Sequence, residues 1–225
     1  MKIKDVIWVV GILGFSMILV IPSTRTIFND FTNHYPYWMG FLKTSYLATM
    51  GELLVFRMKT GSYAIGKTLW MKFVVWGLLG MVFVFIFKIF SSGVIAAQTV
   101  NLLPSLESTG FASKLLTAFL ISLMMNVFFA PTFMFFHKIT DSYIDHCGGS
   151  LSRLMHTPFN QVMDSIQMKH FVSFVVLKTI PLFWIPAHTI TFLLPEQYRI
   201  LMAAYLSIAL GFLLTISNKK TKQTS

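Results

Sequence analysis

The most constraining feature of this chain is a series of apolar stretches, each close to the length of a membrane crossing. The clearest covers residues 69–90 and carries only Lys72 and Lys88 as charges, one toward each end. A hydrocarbon core about 30 Å thick needs about 20 apolar residues in a helix. Lysines near the ends of such a helix can lay their stems along it and hold the ammonium at the headgroups. Similar stretches cover residues 6–21, 115–136, 171–194 and 200–216. Composition agrees: of 225 residues, 55% are hydrophobic and 12% are charged, where a soluble domain carries about 25% charged residues. A water-soluble enzyme and a disordered chain are both excluded. The expected fold is an all-α polytopic transmembrane bundle of about six helices, forming a single integral membrane domain over residues 1–225.

The sixth helix is the least apolar. Residues 38–56 hold Lys43, Thr44, Ser45, Thr49 and Glu52 among leucines and methionines. Ser45, Thr49 and Glu52 recur at i, i+4 and i+7, which places them on one face of a helix. Such a helix either lies on the membrane or spans it with its polar stripe turned toward other helices. Residues 6–21 follow a basic start, Met1-Lys2-Ile3-Lys4-Asp5, which also fits a signal peptide. Ile21-Pro22-Ser23-Thr24-Arg25 offers no small-residue cleavage site, so the segment reads as a retained first helix, short for a full span. Within 69–90, Gly77 and Gly80 would allow close helix approach. Asn126 and Pro131 interrupt 115–136, and Pro181 and Pro186 predict a kinked or broken helix in 171–194. Residues 137–170 read as a polar connection with a short surface helix.

The charges are lopsided: 18 Lys and Arg against 8 Asp and Glu. Threading six spans with both termini in the cytoplasm puts Lys2, Lys4, Arg57, Lys59, Lys67, Lys72, Lys138, Arg153, Lys169, Lys219, Lys220 and Lys222 inside. Arg25, Lys88, Lys114 and Arg199 fall outside. That asymmetry follows the positive-inside rule, and removing the 38–56 span weakens it. The positive charge therefore reads as a topology marker. Its scatter over several loops, with no nucleic-acid-binding motif, argues against nucleic acid as a partner.

Polar groups inside spans are the candidate functional residues, because hydrocarbon penalises them. Glu52 lies on the Ser45/Thr49 stripe. Asn126 lies one turn after Ser122. His188 follows Pro186, and Lys178 precedes Pro181 by a turn. Glu52, Asn126 and His188 could line a polar path for a solute or protons. They could equally serve as helix glue, since buried Asn, Ser and His hydrogen-bond across helices. His137, Asp141 and Asp145 recur at i, i+4 and i+8, but three such ligands without a known motif read as a solvated face rather than a metal site. Cys147 is the single cysteine, so neither a disulfide framework nor a cysteine-based zinc site is expected. No G-x-S-x-G, H-E-x-x-H or Gly-rich phosphate loop occurs, and neither enzymatic activity nor a cofactor is expected.

Several short motifs, in order, resemble the Mpv-seventeen family of membrane proteins. Pro195-Glu196-Gln197-Tyr198-Arg199 is similar to that family's V-P-x-x-Y-R element. Pro186, Phe192, Pro195 and Arg199 fit its C-terminal pattern, with His188 near a family Gln and Thr191 near a family Asn. Asn126-Val127-Phe128-Phe129-Ala130-Pro131 is similar to D-Q-x-x-F-A-P, with Met125 in place of the Asp. Gly51-Glu52 matches a Gly-Asp pair in the first family helix. The resemblance covers about residues 35–217, and residues 1–22 would add an N-terminal helix. It implies a small helical pore or permeability protein in which Pro131, Pro186, Pro195 and Arg199 are structural.

The expectation is thus a small-solute channel or transporter whose partners are the lipid bilayer and a small solute, with a homo-oligomer left open. The alternative is a non-transporting membrane scaffold or stress-related factor whose polar groups only hold helices together. The Lys-bearing, Asp-containing N-terminus does not look like an Arg-rich transit peptide, which favours a bacterial plasma membrane.

Overall fold

The computed structural model describes residues 3–63, 66–107 and 110–224, with side chains described as far as residue 216. Lys2 and the side chains of Lys219, Lys220 and Lys222, which enter the charge count above, lie outside the described residues. The fold is all-α, with no strand among the described residues. Five helical stretches are long and apolar enough to cross a membrane: Ile3–Val20, Gly66–Thr99, Phe111–Phe128, Met168–Leu193 and Glu196–Ile216. Their outward surfaces are apolar, including Leu78 and Phe85 in the second and Leu177 and Leu182 in the fourth. Exposed side chains of this kind are compatible with lipid and not with water.

The chain divides into two compact units. The first comprises Met1–Val82 and Ile200–Ser225. It holds α1 (Ile3–Val20), α2 (Pro22–His34), α3 (Pro36–Thr60), the beginning of α4 (Leu69–Thr99) and most of α11 (Glu196–Thr224). Helix α1 has 18 residues, all with at least partial exposure, and is about 27 Å long. It is held to α3 and, through Tyr205, to α11 by polar contacts. Trp8 Nε1 donates to the Met50 carbonyl at 2.8 Å, and the Tyr46 hydroxyl donates to the Gly11 carbonyl at 2.9 Å. Asp5 receives Arg57 Nε and Nη2 at 2.8 and 3.2 Å, and the Ser16 and Tyr205 hydroxyls lie 2.6 Å apart.

Helix α3 falls outside the five apolar stretches although its 25 residues make it about 37 Å long. The residues that lower its hydropathy point inward: Lys43 and Thr44 are each 2% exposed and Ser45 is fully buried. Lys43 Nζ donates to Thr32 Oγ1 of α2 at 2.8 Å and lies 4.4 Å from the centre of the Phe28 ring. Glu52 accepts from Lys72 Nζ at 3.1 Å. Gly77 and Gly80 bring α4 against α3, as expected. A Cβ on Gly80 would stand 2.3 Å from the Gly40 carbonyl oxygen, and one on Gly77 would stand 2.4 Å from the Phe41 ring. Gly51 and Gly211 similarly bring α3 and α11 together, against Ile208 and Val55.

Helix α2 was not predicted. Residues 22–34 are polar on average and read as a connection, yet Pro22 opens a helix at its first turn and Pro36 opens the next. Proline suits that position because its missing N–H would be unpaired there anyway. The α2 helix is amphipathic. It turns Phe28 into the unit and leaves Ile27 and Phe31 exposed.

The second unit comprises Phe83–Arg199. The expected helix 115–136 is two helices, α5 (Phe111–Phe128) and α6 (Ala130–Cys147), because Pro131 in the first turn of α6 cannot continue the hydrogen-bond ladder. Helix α6 runs on until Gly148, whose φ of 58° places it in the left-handed region that closes helices. The polar connection is therefore more helical than predicted, with α7 (Leu151–His156), α8 (Phe159–Asp164) and α9 (Met168–His170) following. The proline-bearing span winds as a π-helix over Phe171–Trp184 with Pro181 inside it, then becomes α10 (Ile185–Leu193) with Pro186 in its first turn. Arg199 fastens the α10 to α11 turn. Its guanidinium donates to the carbonyls of Leu194 and Phe192 and to Ser91 Oγ at 3.0, 3.3 and 3.3 Å. It thus satisfies carbonyls that the end of α10 leaves open.

Candidate functional site

The second unit contains a buried polar centre where α5 meets α10. Ser122 and Asn126 sit four residues apart on α5, so both project from one face. Both are fully buried. Ser122 Oγ donates to the Ile185 carbonyl at 2.7 Å, at the residue where the π-helix gives way to α10. Asn126 Nδ2 donates to the Ser122 carbonyl at 2.9 Å and lies 3.1 Å from His188 Nδ1. Around His188, Trp184 stacks at 5.0 Å between ring centres and Phe87 meets it edge-on at 5.8 Å.

The geometry fixes the chemistry of the centre. Turning the Asn126 amide over would aim its oxygen at the Ser122 carbonyl oxygen, so Nδ2 is the atom on that side. Nδ2 then donates to His188 Nδ1. An imidazole nitrogen that accepts carries no proton, so the neutral ring holds its proton on Nε2. In this centre, among the described residues, two buried polar atoms have no hydrogen-bond partner: Asn126 Oδ1, an acceptor, and Trp184 Nε1, a donor. Each costs about 1–3 kcal/mol if left in that state.

Two of the three predicted polar-path residues, Asn126 and His188, are in contact. Glu52 belongs to the first unit and is engaged by Lys72. Lys178 is exposed on the surface of the π-helix, where a lysine can extend toward the headgroups. Among the described residues no group of three His, Cys, Asp or Glu side chains could hold a metal ion. His137 Nε2 lies 3.6 Å from Asp141 Oδ2 and Asp145 is exposed. Cys147 is fully buried. Sequence reasoning did not single out Trp184, although it stands one helical turn before His188. The Asp5–Arg57 pair was missed because its members are 52 residues apart.

Comparison with known proteins returns no match among family models, curated proteins or solved structures.

Proposed function

We propose that this integral membrane protein is a small-solute channel or transporter, with Asn126, His188 and Trp184 forming a polar site for the solute. The observation that carries this reading is the fully buried Asn126 amide, fixed at its nitrogen and unpartnered at its oxygen. An unpaired acceptor at that depth calls for an outside donor such as water or a hydroxyl, amide or ammonium group. The His188 Nε2–H and the Trp184 indole N–H supply donors for the same guest. The resemblance to the Mpv-seventeen family points toward the same class. On this reading α3 is a sixth span, both termini face the cytoplasm, and the membrane is a bacterial plasma membrane.

The scaffold reading is favoured by Ser122, whose hydroxyl ties α5 to the Ile185 carbonyl. It is also favoured by Glu52, already paired with Lys72. The two readings separate in proteoliposomes loaded with uncharged and charged solutes below about the size of a hexose. The channel reading expects wild-type flux above protein-free vesicles, reduced at least tenfold by His188→Ala and unchanged by Lys178→Gln. No flux with any solute, or equal flux from a folded His188→Ala protein, overturns it.

A further inference from the structure

The first unit carries a second feature that the solute site does not use. At the ends of α1 and α3 lies an open cavity of about 510 Å³, walled by Trp8, Val9 and Leu54 and edged by Asp5, Arg57 and Tyr63. A smaller one of about 310 Å³ adjoins it, sharing Arg57 and Tyr63 and adding Lys4 and Ser62. The apolar wall comes from Trp8, Val9 and Leu54 within the two helices, and the polar mouth from their ends. The mouth is firmly built. Arg57 donates to both Asp5 oxygens and, through Nη1, to the Gly61 carbonyl at 2.6 Å. Gly61 can close α3 because its φ of 77° suits a residue without a Cβ. The Arg57 guanidinium also lies 5.7 Å from the Tyr63 ring centre.

Charge and shape together select a ligand class. Asp5 is matched by Arg57, which leaves Lys4 as net positive charge at the mouth, with Lys59 exposed on the last turn of α3. The Tyr63 hydroxyl is held above its ordinary pKa, first by burial and then by its hydrogen bond to the Asp5 carboxylate, so its proton braces the mouth rather than reaching a ligand. A cationic mouth continuous with an apolar groove between α1 and α3 matches an amphiphile with an anionic head.

We propose that this cavity is a binding site for an anionic phospholipid, its phosphate at Lys4 and an acyl chain along Trp8, Val9 and Leu54. A free phosphate ester shares the head chemistry and lacks the chain.

Native mass spectrometry of the full chain, released from neutral detergent, tests the site. The probes are phosphatidylglycerol, phosphatidylcholine and glycerol 3-phosphate at equal concentrations. The site predicts that phosphatidylglycerol is retained at least fivefold better than phosphatidylcholine, and that glycerol 3-phosphate is retained far less. Lys4→Gln should weaken phosphatidylglycerol retention about fivefold, the scale of one surface cation on an anionic lipid. Val9→Trp should fill the groove and reduce retention while Lys4 remains. Far-ultraviolet circular dichroism verifies that each variant is folded. Equal retention of the two lipids, or wild-type retention by both folded variants, overturns the proposal. Glycerol 3-phosphate binding as tightly as the lipid overturns the lipid assignment in favour of a free phosphate ester.

Discussion

Alanine at Gly80 is the sharpest test of the α3–α4 packing, because Gly93 in the same helix supplies its own control. A Cβ at Gly80 would meet the Gly40 carbonyl oxygen at 2.3 Å and Thr44 Oγ1 at 2.6 Å. Real Cβ atoms essentially never come within 3.0 Å of another heavy atom, so the two helices must part by about 0.7 Å. The obstacle is backbone, which has little freedom to swing aside. Overpacking of this kind costs about 1–3 kcal/mol, and a gap of that size also weakens the neighbouring van der Waals contacts by about a quarter or more. A Cβ at Gly93 meets nothing within 4 Å. Both substitutions gain the same intrinsic helix propensity, about 1 kcal/mol, so the difference between them isolates the clash. Unfolding by sodium dodecyl sulfate in mixed micelles, followed by tryptophan fluorescence, should place Gly80→Ala about 1–3 kcal/mol below Gly93→Ala. Gly77→Ala should fall between them, since its obstacle is the Phe41 ring, which can rotate away. If Gly80→Ala and Gly93→Ala unfold at the same detergent fraction, the helices are not packed backbone to backbone at this point.

Ser122→Ala removes the hydroxyl bond to the Ile185 carbonyl and should cost about 1 kcal/mol in the same assay. A double-mutant cycle on Glu52→Gln and Lys72→Gln should give a coupling energy of about 1 kcal/mol or more, because both partners are largely shielded from solvent. Arg199→Lys should cost about 1–2 kcal/mol, since a point ammonium cannot hold two carbonyls and Ser91 at once. Cys147, with no exposed surface, should react with a membrane-permeant maleimide only after denaturation, as read by intact mass.

The apolar stretches were legible because hydropathy sums over many residues and tolerates local error. Five of the six expected crossings carry that signal on their own. Helix α3 is the exception, and the reason lies in burial. Its hydropathy is lowered by Lys43, Thr44 and Ser45, which face the protein rather than lipid, a distinction that composition does not carry. Helix α2 was lost for the opposite reason: its apolar residues cover one face only, and the average over residues 22–34 conceals them. In the candidate site, the four-residue spacing of Ser122 and Asn126 was visible on α5. Their meeting with His188 was not, because it depends on how α10 packs against α5 over a separation of 62 residues. The π-helical winding of Phe171–Trp184 was equally hidden. Pro181 announces a disturbance there but does not dictate which hydrogen-bond pattern absorbs it.

Burial alone does not separate functional polar groups from structural ones in this chain. Ser45, Ser122, Asn126 and Thr191 are all fully buried, and all would rank alike by depth. Satisfaction divides them. The hydroxyls of Ser45, Ser122 and Thr191 each donate to a backbone carbonyl, so replacing them loses a bond and frees no site. Glu52 has Lys72, and Arg199 has three acceptors. Asn126 differs because its nitrogen is held by Ser122 and His188 while its oxygen has no donor among the described residues. For a group whose only purpose was to join two helices, Leu at that position would be close to neutral, because removing the orphaned oxygen offsets leaving His188 Nδ1 without its donor. Asn126→Leu therefore discriminates between the readings of the site. A scaffold would keep its stability within about 1 kcal/mol with no other consequence. A solute site would lose its flux while its unfolding in mixed micelles stays within about 1 kcal/mol of wild type.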